Sequence, residues 1–517
     1  GNNADINKGI FGAVYRSIDG GDSWTVVTPS NVFFDYFEAF TAVAFAPSNP
    51  NIVYVGSADA IYKSTDNGVN WTRYSGANGA PYGPDGVRSG VPIDMVVSPT
   101  DPDTLYVNNY GGGVFRSTDG AQNWESWSKG YTGADIHSVA INPSNPLDVL
   151  ANGRSGVFLS RNKGDDWSGI SNGLAAFPEG FGVTFDPVDS SGVTIFSSDE
   201  HEGHVLRSLD RGSNWELVLD LGTGAVGDRH GARKIRFAPS DTDIVYAGMM
   251  AAGFHSNPHD LSFPESYGIY KSIDRGKTWI QNNAGLPTGD RALNVTDIGI
   301  SSINPNKAFL TLREGGIYLF NESSSEWESI LGNLPANQNW DDIWEANDPL
   351  RRDACLSIAV HPTDDDIILL GTHIFGMYKT TDGGQNWAQV LTPDQMVLNG
   401  TRNHGHITSI VFHPNAPTLC FASEWHGGVY ISSNAGDNWA LLNHGLSTRA
   451  IAALEISSGG EIMYAASQGE GVFRYQLQEI LTSIRSDTEV PDGFYLDQNF
   501  PNPFNPSTRI SYGIAKT

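Results

Sequence analysis

The 517 residues carry 31 basic against 58 acidic side chains, a formal charge of −27. Such a surface repels phosphates at long range and argues against nucleic acid or an anionic membrane as the main partner. Aromatics at 11%, 58 glycines and only 17% charged residues fit a β-rich, turn-rich protein, and the length far exceeds one ordinary core. No apolar run approaches a membrane span and no signal peptide opens the chain, which begins Gly1-Asn2-Asn3 and reads as a fragment.

Along the chain a strand-like run resembling Gly-Val-Phe-Arg-Ser recurs ten times, and nine times an acidic turn and a tryptophan follow. Residues 13 to 27 supply only the third and fourth strands of a unit, ending in Asp19 and Trp24. The next unit is complete, with strands at Thr41–Phe45, Ile52–Gly56, Ala60–Ser64 and Asn70–Tyr74, and its first two strands are joined by Ala46-Pro47-Ser48-Asn49-Pro50. Prolines there cap strand ends and cannot continue a central ladder. The pattern S-x-D-x-G-x-x-W then repeats through Asp66 and Trp71, Asp119 and Trp124, Asp210 and Trp215, Asp274 and Trp279, and Asp382 and Trp387. Asn162 and Asn434 replace the acid, Ala121 replaces the turn glycine, and the copy ending at Trp327 keeps little else. Residues 451 to 475 give three strands and no fourth, so the two partial units are candidates to close one ring between them. Cys355 and Cys420 fall in strand-like runs and read as separate buried thiols.

Four-stranded units at even spacing specify an all-β propeller. Either one large ring of eight to ten blades or part of a tandem pair of seven-bladed rings accommodates the count. The S-x-D-x-G-x-x-W turn after a G-[VI]-[FY]-[RK] strand resembles the Asp-box (BNR) repeat of sialidases, sortilin-type propellers and the tandem seven-bladed xyloglucanases of glycoside hydrolase family 74. That resemblance covers roughly residues 10 to 476 and implies the fold. The glycine-rich opening of family 74 and the N-terminal arginine motif of sialidases are absent.

The expected domains are a propeller over 1–476 with its first blade incomplete, a linker over 477–493, and the start of a small β-sandwich over 494–517. In the last, Asn499-Phe500-Pro501-Asn502-Pro503-Phe504-Asn505-Pro506-Ser507-Thr508 is very similar to the opening of the C-terminal sorting domain of type IX secretion substrates. The resemblance implies handling by that secretion machinery and a secreted or outer-cell-surface location.

Ser and Asp suit a tight turn by bonding nearby backbone N–H groups, and a catalytic group has no reason to appear once per blade. The acidic turns are therefore read as scaffold. In an up-and-down blade the 1–2 and 3–4 turns share one face, so the long irregular loops fall on the other, where sites usually lie. Eleven of the thirteen histidines map there. Three clusters stand out. Asp199-Glu200-His201-Glu202-Gly203-His204 carries no recognised metal-ligand motif, and neither a metal nor another cofactor is expected. Trp340-Asp341-Asp342-Ile343-Trp344-Glu345 suits sugar, because indole stacks on pyranose C–H faces and carboxylates accept from hydroxyls. Asn403-His404-Gly405-His406 can approach Glu424-Trp425-His426, with Asp228, Arg229 and His230 contributing from neighbouring blades.

These residues point to a propeller that binds glycan or a surface protein through its loop-rich acidic face. The alternative is a glycoside hydrolase resembling family 74, cleaving a β-glucan such as xyloglucan. Asp341, Asp342 and Glu424 are the candidate catalytic carboxyls of that alternative, and on either reading Trp340, Trp344, Trp425, His404, His406, His426, Asp228, Arg229 and His230 are the candidate ligand contacts.

Overall fold

A computed structural model describes residues 13–28, 40–57, 60–75, 82–84, 87, 92–109, 113–127, 136–171, 180–199, 203–221, 230–251, 268–287, 293–312, 316–334, 355–373, 375–396, 406–443, 445–467, 470–478, 480, 495–496 and 512–513. Among them lie eight four-stranded antiparallel sheets, one sheet of three strands and two of two strands. Each larger sheet is a meander in which sequence neighbours pair, the arrangement that short turns between short strands permit. The chain divides into two compact units, Gly1–Arg474 and Tyr475–Thr517. The second holds one described pairing, Tyr495–Leu496 with Tyr512–Gly513.

Seven sheets close a ring. Their innermost strands are Ile136–Ile141, Gly180–Phe185, His230–Ala238, Val295–Ile300, Cys355–Val360, Ile407–Phe412 and Ile451–Ile456. Each lies beside the next, and the last lies beside the first. We number these blades one to seven. At the closing seam Ala453, Ile462, Tyr464 and Ala466 of blade seven share one core with Ile136, Val139, Val149 and Phe158 of blade one. The Tyr464 hydroxyl donates to Lys163 O at 3.0 Å, and Arg474 reaches Lys163 O and Asp165 at 2.6 and 2.9 Å.

Residues 13–27 and 451–475 therefore do not complete one another. Tyr15–Arg16 and Thr25–Val26 pair only with each other, and Arg16 donates to Asn67 O at 2.6 Å, the same bond that Arg474 makes to Lys163. That two-stranded sheet precedes the blades at 42–74 and 92–126, an arc outside the seven-bladed ring. Its flanks are apolar and open. Val43 and Phe45 are 58% and 55% exposed, whereas their counterparts Val139 and Ile141 are each 6% exposed. On the other flank Val96 is 58% exposed against 7% for Ala140. The unit Gly1–Arg474 thus holds a seven-bladed ring and blades of a second set, and the single large ring is excluded.

The acidic turns build one face. Ser64 donates to Asp66 and accepts from Gly68 N, each at 2.8 Å, while Asp66 takes the backbone N–H and side-chain amide of Asn70. Those bonds from Asn70 hold Asp66 at about 2, and the corresponding bonds from Asn386 hold Asp382 at about 2. The residue after the acid takes a left-handed conformation, φ 61° at Asn67, which turns its N–H onto the 1–2 turn of its own blade. Asn67, Lys163, Arg211 and Arg275 donate in this way to Asn51, Leu147, Val193 and Asp243. Several tryptophans bridge blades, Trp71 Nε1 donating to Val27 O, Trp215 to Ile170 O and Trp387 to Ile330 O, whereas Trp24, Trp279 and Trp439 donate to the glycine carbonyl of their own turn. In blade one, where Asn162 replaces the acid, its amide donates to Asp166, so the carboxylate sits at the opposite end of the same bond.

Every innermost strand of the ring carries a register shift near its start, such as Val295/Asp297 in blade four and Ile407/Ser409 in blade six. A bulge re-aims the extra side chain, and in blades one, four and six it turns toward the next blade. Thr296 donates to Cys355 O at 2.5 Å, Thr408 to Ile451 O at 2.7 Å, and His137 through Nδ1 to Gly180 O at 2.9 Å. Ser198 and Ser357 serve Ala232 O and Ile407 O at 2.5 and 3.0 Å from adjacent positions. Removing one such donor strands a buried carbonyl, at a cost of about 1–3 kcal/mol. Thr296→Val and Thr408→Val should each lower the denaturant midpoint by that amount with an unchanged m-value, whereas Thr→Ser at either position should cost less than about 1 kcal/mol.

Candidate functional site

Because the acidic turns and the 1–2 turns share one face, the 2–3 loops and inter-blade connections form the other. Several sequence candidates on that face lie outside the described residues: Trp340, Asp341, Asp342, Trp344, Asp228, Arg229 and His404. His230 opens the innermost strand of blade three opposite Ala251, and its side chain is likewise outside them.

The remaining candidates come together at the seam of blades five and six. In blade six Ile407 pairs with Glu424 and Glu424 with Gly428, so Trp425, His426 and Gly427 form a three-residue 2–3 loop. Gly428 has φ +86°, and a Cβ there would fall 2.2 Å from Asn443 Oδ1. Asn443 uses that oxygen to accept Val429 N and its amide to donate to Gly427 O, which fixes the loop from the fourth-strand side. Trp425 N donates to His406 O at 3.0 Å. The two rings stack at 5.8 Å and 22°, and the His373 ring, from the 2–3 loop of blade five, meets His406 edge-on at 4.6 Å. His426 is exposed, and Trp425, His406 and His373 are half-buried. The result is a row of indole and imidazoles across a blade seam, with an apolar ring face and several N–H groups to offer a ligand.

Glu424 does not face the surface. It is fully buried, and its Oε2 accepts His426 N at 3.0 Å. Burial pushes its carboxyl up to about 7 against the opposing backbone N–H groups of His426, Gly427 and His406. Buried beneath its own loop, this carboxyl is not presented to the surface of that face, unlike the exposed catalytic carboxyl its sequence context suggests.

Two charged clusters complete the described face and channel. His204 closes the 2–3 loop of blade two with Nδ1 3.0 Å from the buried Asp199 and Nε2 3.6 Å from Asp220. Its imidazole is engaged by Asp199 at the end of the second strand and Asp220 at the end of the fourth, and among the described residues no group of three or more His, Cys, Asp or Glu is placed to hold a metal ion. In the ring channel Lys234 lies 3.8 Å from Asp297. Lys234, Arg236 and Glu455 line a small cavity with Ser138, Gly182 and Ala453. Burial draws Lys234 down to about 8 and pushes Glu455 up, with Asp297 opposing the first shift and Arg236 the second. These channel charges escape attention in the sequence, although Lys234 stands where blades one, five, six and seven have Ser138, Ser357, Ser409 and Ala453.

No protein-family model matches the chain. It is 27% identical to a xyloglucanase of Hypocrea jecorina over 183 residues, 33% of this chain and 20% of that protein. It is 23% identical to an oligoxyloglucan-reducing end-specific xyloglucanase of Emericella nidulans over 226 residues, 43% of this chain and 24% of that one. The chain thus spans 20–24% of the length of these two relatives. Among solved structures, an ancestral GH74 enzyme is 16% identical and superposes with a TM-score of 0.51, covering 90% of this chain and 82% of that chain. The chain has the propeller fold of that enzyme and sequence similarity to xyloglucanases.

The folded-state pKa of Glu424 lies above its value of 4.5 in a solvated chain. Its protonation therefore favours folding fully below about pH 4.5, and that contribution is lost as pH rises through about 7. Glu424→Gln, permanently neutral, should gain stability relative to the parent protein between pH 5 and 8, by on the order of 2–3 kcal/mol. Parallel denaturation curves across that range check this, and two curves that track each other at a constant offset would disagree with it.

Proposed function

We propose that this protein is a glycoside hydrolase-like propeller that takes a β-glucan of the xyloglucan type across its loop-rich face. The observation that carries the reading is the Trp425–His406–His373 row. It stands on the face opposite the regular turns, with an indole for pyranose C–H stacking and imidazoles for hydroxyl hydrogen bonds. The similarity to two xyloglucanases supports the substrate class, and an acidic surface is compatible with a neutral polysaccharide. Hydrolysis needs two carboxyls about 5–5.5 Å apart for retention or about 6.5–9.5 Å for inversion. Asp341 and Asp342 are our candidates for one partner, because Trp340 and Trp344 flank them in the same segment. We further propose, on the tail's resemblance alone, that residues 494–517 direct type IX export to the cell surface or medium. Separating cells from medium and locating the protein by immunoblot checks that step.

The experiment pairs calorimetry with reducing-sugar release on xyloglucan, its oligosaccharides and unbranched β-1,4-glucan. Trp425→Ala should weaken binding about tenfold, the worth of one lost stacking contact. Asp341→Asn or Asp342→Asn should abolish release while leaving Kd within about threefold. Release that survives both substitutions clears those carboxyls, and binding without any release leaves the protein a glycan-binding propeller. A protein that binds none of the glucans overturns the reading.

A further inference from the structure

We propose that Glu424 is the positioning residue of the sugar-binding row, holding Trp425 and His406 in one stack from beneath; this rests on the glycan reading above. Two chain segments build the row, the connection that ends at His406 and the loop 425–427. They meet on a single carboxyl. Glu424 accepts His426 N at 3.0 Å and is also approached by the backbone N–H groups of Gly427 and His406. Trp425 N returns a bond to His406 O at 3.0 Å. The side chain is fully buried, so water does not compete for these donors, and three N–H groups converging on one acceptor fix both segments at once.

Sister blades show what is particular here. The residue opposite the start of the innermost strand is Gly153 in blade one, Asp199 in blade two, Leu312 in blade four, Thr372 in blade five and Ser467 in blade seven, and Asp199 meets His204 of its own hairpin at 3.0 Å. Where that residue is polar and short, it serves its own hairpin: Thr372 donates to Gly376 O and accepts Phe375 N, and Ser467 donates to Gly471 O. Only a side chain of glutamate's length and acceptor character spans from the 2–3 loop to the incoming connection. Among these blades it occurs in blade six, where an indole and an imidazole must be kept parallel. The role is therefore orientation of a binding platform, with no part in proton transfer to substrate.

The test compares Glu424→Gln, Glu424→Asp and Glu424→Ala. The first readout is the Trp425 signal, taken as the difference spectrum between each protein and the same protein carrying Trp425→Phe. The second is Kd for a xyloglucan oligosaccharide, and the third is Tm. Glu424→Gln keeps length and acceptor and should retain the Trp425 signal and a Kd within about threefold. Glu424→Asp and Glu424→Ala should lose the signal and bind about tenfold more weakly. Thr296→Val, which weakens a different seam, should lower Tm without moving either of the other readouts. Retention of the Trp425 signal and of Kd in Glu424→Asp overturns the proposal, and so does a Glu424→Gln protein that loses both. Should Glu424→Ala fail to fold, the Asp and Gln variants decide alone. If the parent protein binds no oligosaccharide the glycan reading fails, and the Trp425 signal still decides whether Glu424 positions the stack.

Discussion

The innermost strands of neighbouring blades lie side by side without forming a ladder, and this gap governs the rest of the ring. Each blade ends its hydrogen-bonded sheet at the channel edge, so carbonyls at the start of the next blade face a seam that has no strand to pair them. A buried carbonyl left alone there is costly. In blades one, four and six the bulge near the start of the innermost strand answers this by swinging one extra side chain sideways. Thr296, Thr408 and His137 use it to cap Cys355, Ile451 and Gly180. The seam between blades seven and one has Ala452 at that position and is secured further out, by Tyr464 and Arg474 on Lys163. Closure at seven blades is thus a matter of specific polar joints as well as apolar wedges.

Much of the architecture was legible because it repeats. Tryptophans after acidic turns marked the fourth strands, paired prolines marked the 1–2 turns, and together they gave the four-stranded meander and the two faces. The number of blades in the ring was not legible. Residues 13–27 and 451–475 look like complementary halves in a list of strands, and only the neighbour of each separates them: Arg16 finds Asn67, whereas Arg474 finds Lys163. Sequence repetition specifies the unit but leaves open where a circle closes, because every seam uses the same kind of contact.

The site was legible in part. Trp425, His406 and His426 stand out as residues where the repeat breaks down; the first two stack, and His426 bonds Glu424 through its backbone N–H. Glu424 was harder to read. A glutamate beside tryptophan and histidine on a loop suggests chemistry, yet it is the last residue of a strand whose side chains alternate, and its turn falls inward. His373 was missed as a partner because it lies in the preceding blade, more than thirty positions away. The channel charges Lys234, Asp297 and Glu455 sit in ordinary-looking strands, and only the ring brings them together.

The two faces divide the labour: the regular face is scaffold, and ligand is taken where regularity stops. Hydrogen exchange with and without a xyloglucan oligosaccharide tests this division directly, since both faces are reported in one experiment. Exchange should slow in the 2–3 loops of blades five and six, at residues 372–376 and 424–428, with the acidic turns at 64–71, 208–215 and 380–387 unchanged. Protection concentrated in the acidic turns, or an exchange pattern that the oligosaccharide leaves untouched on both faces, would contradict it.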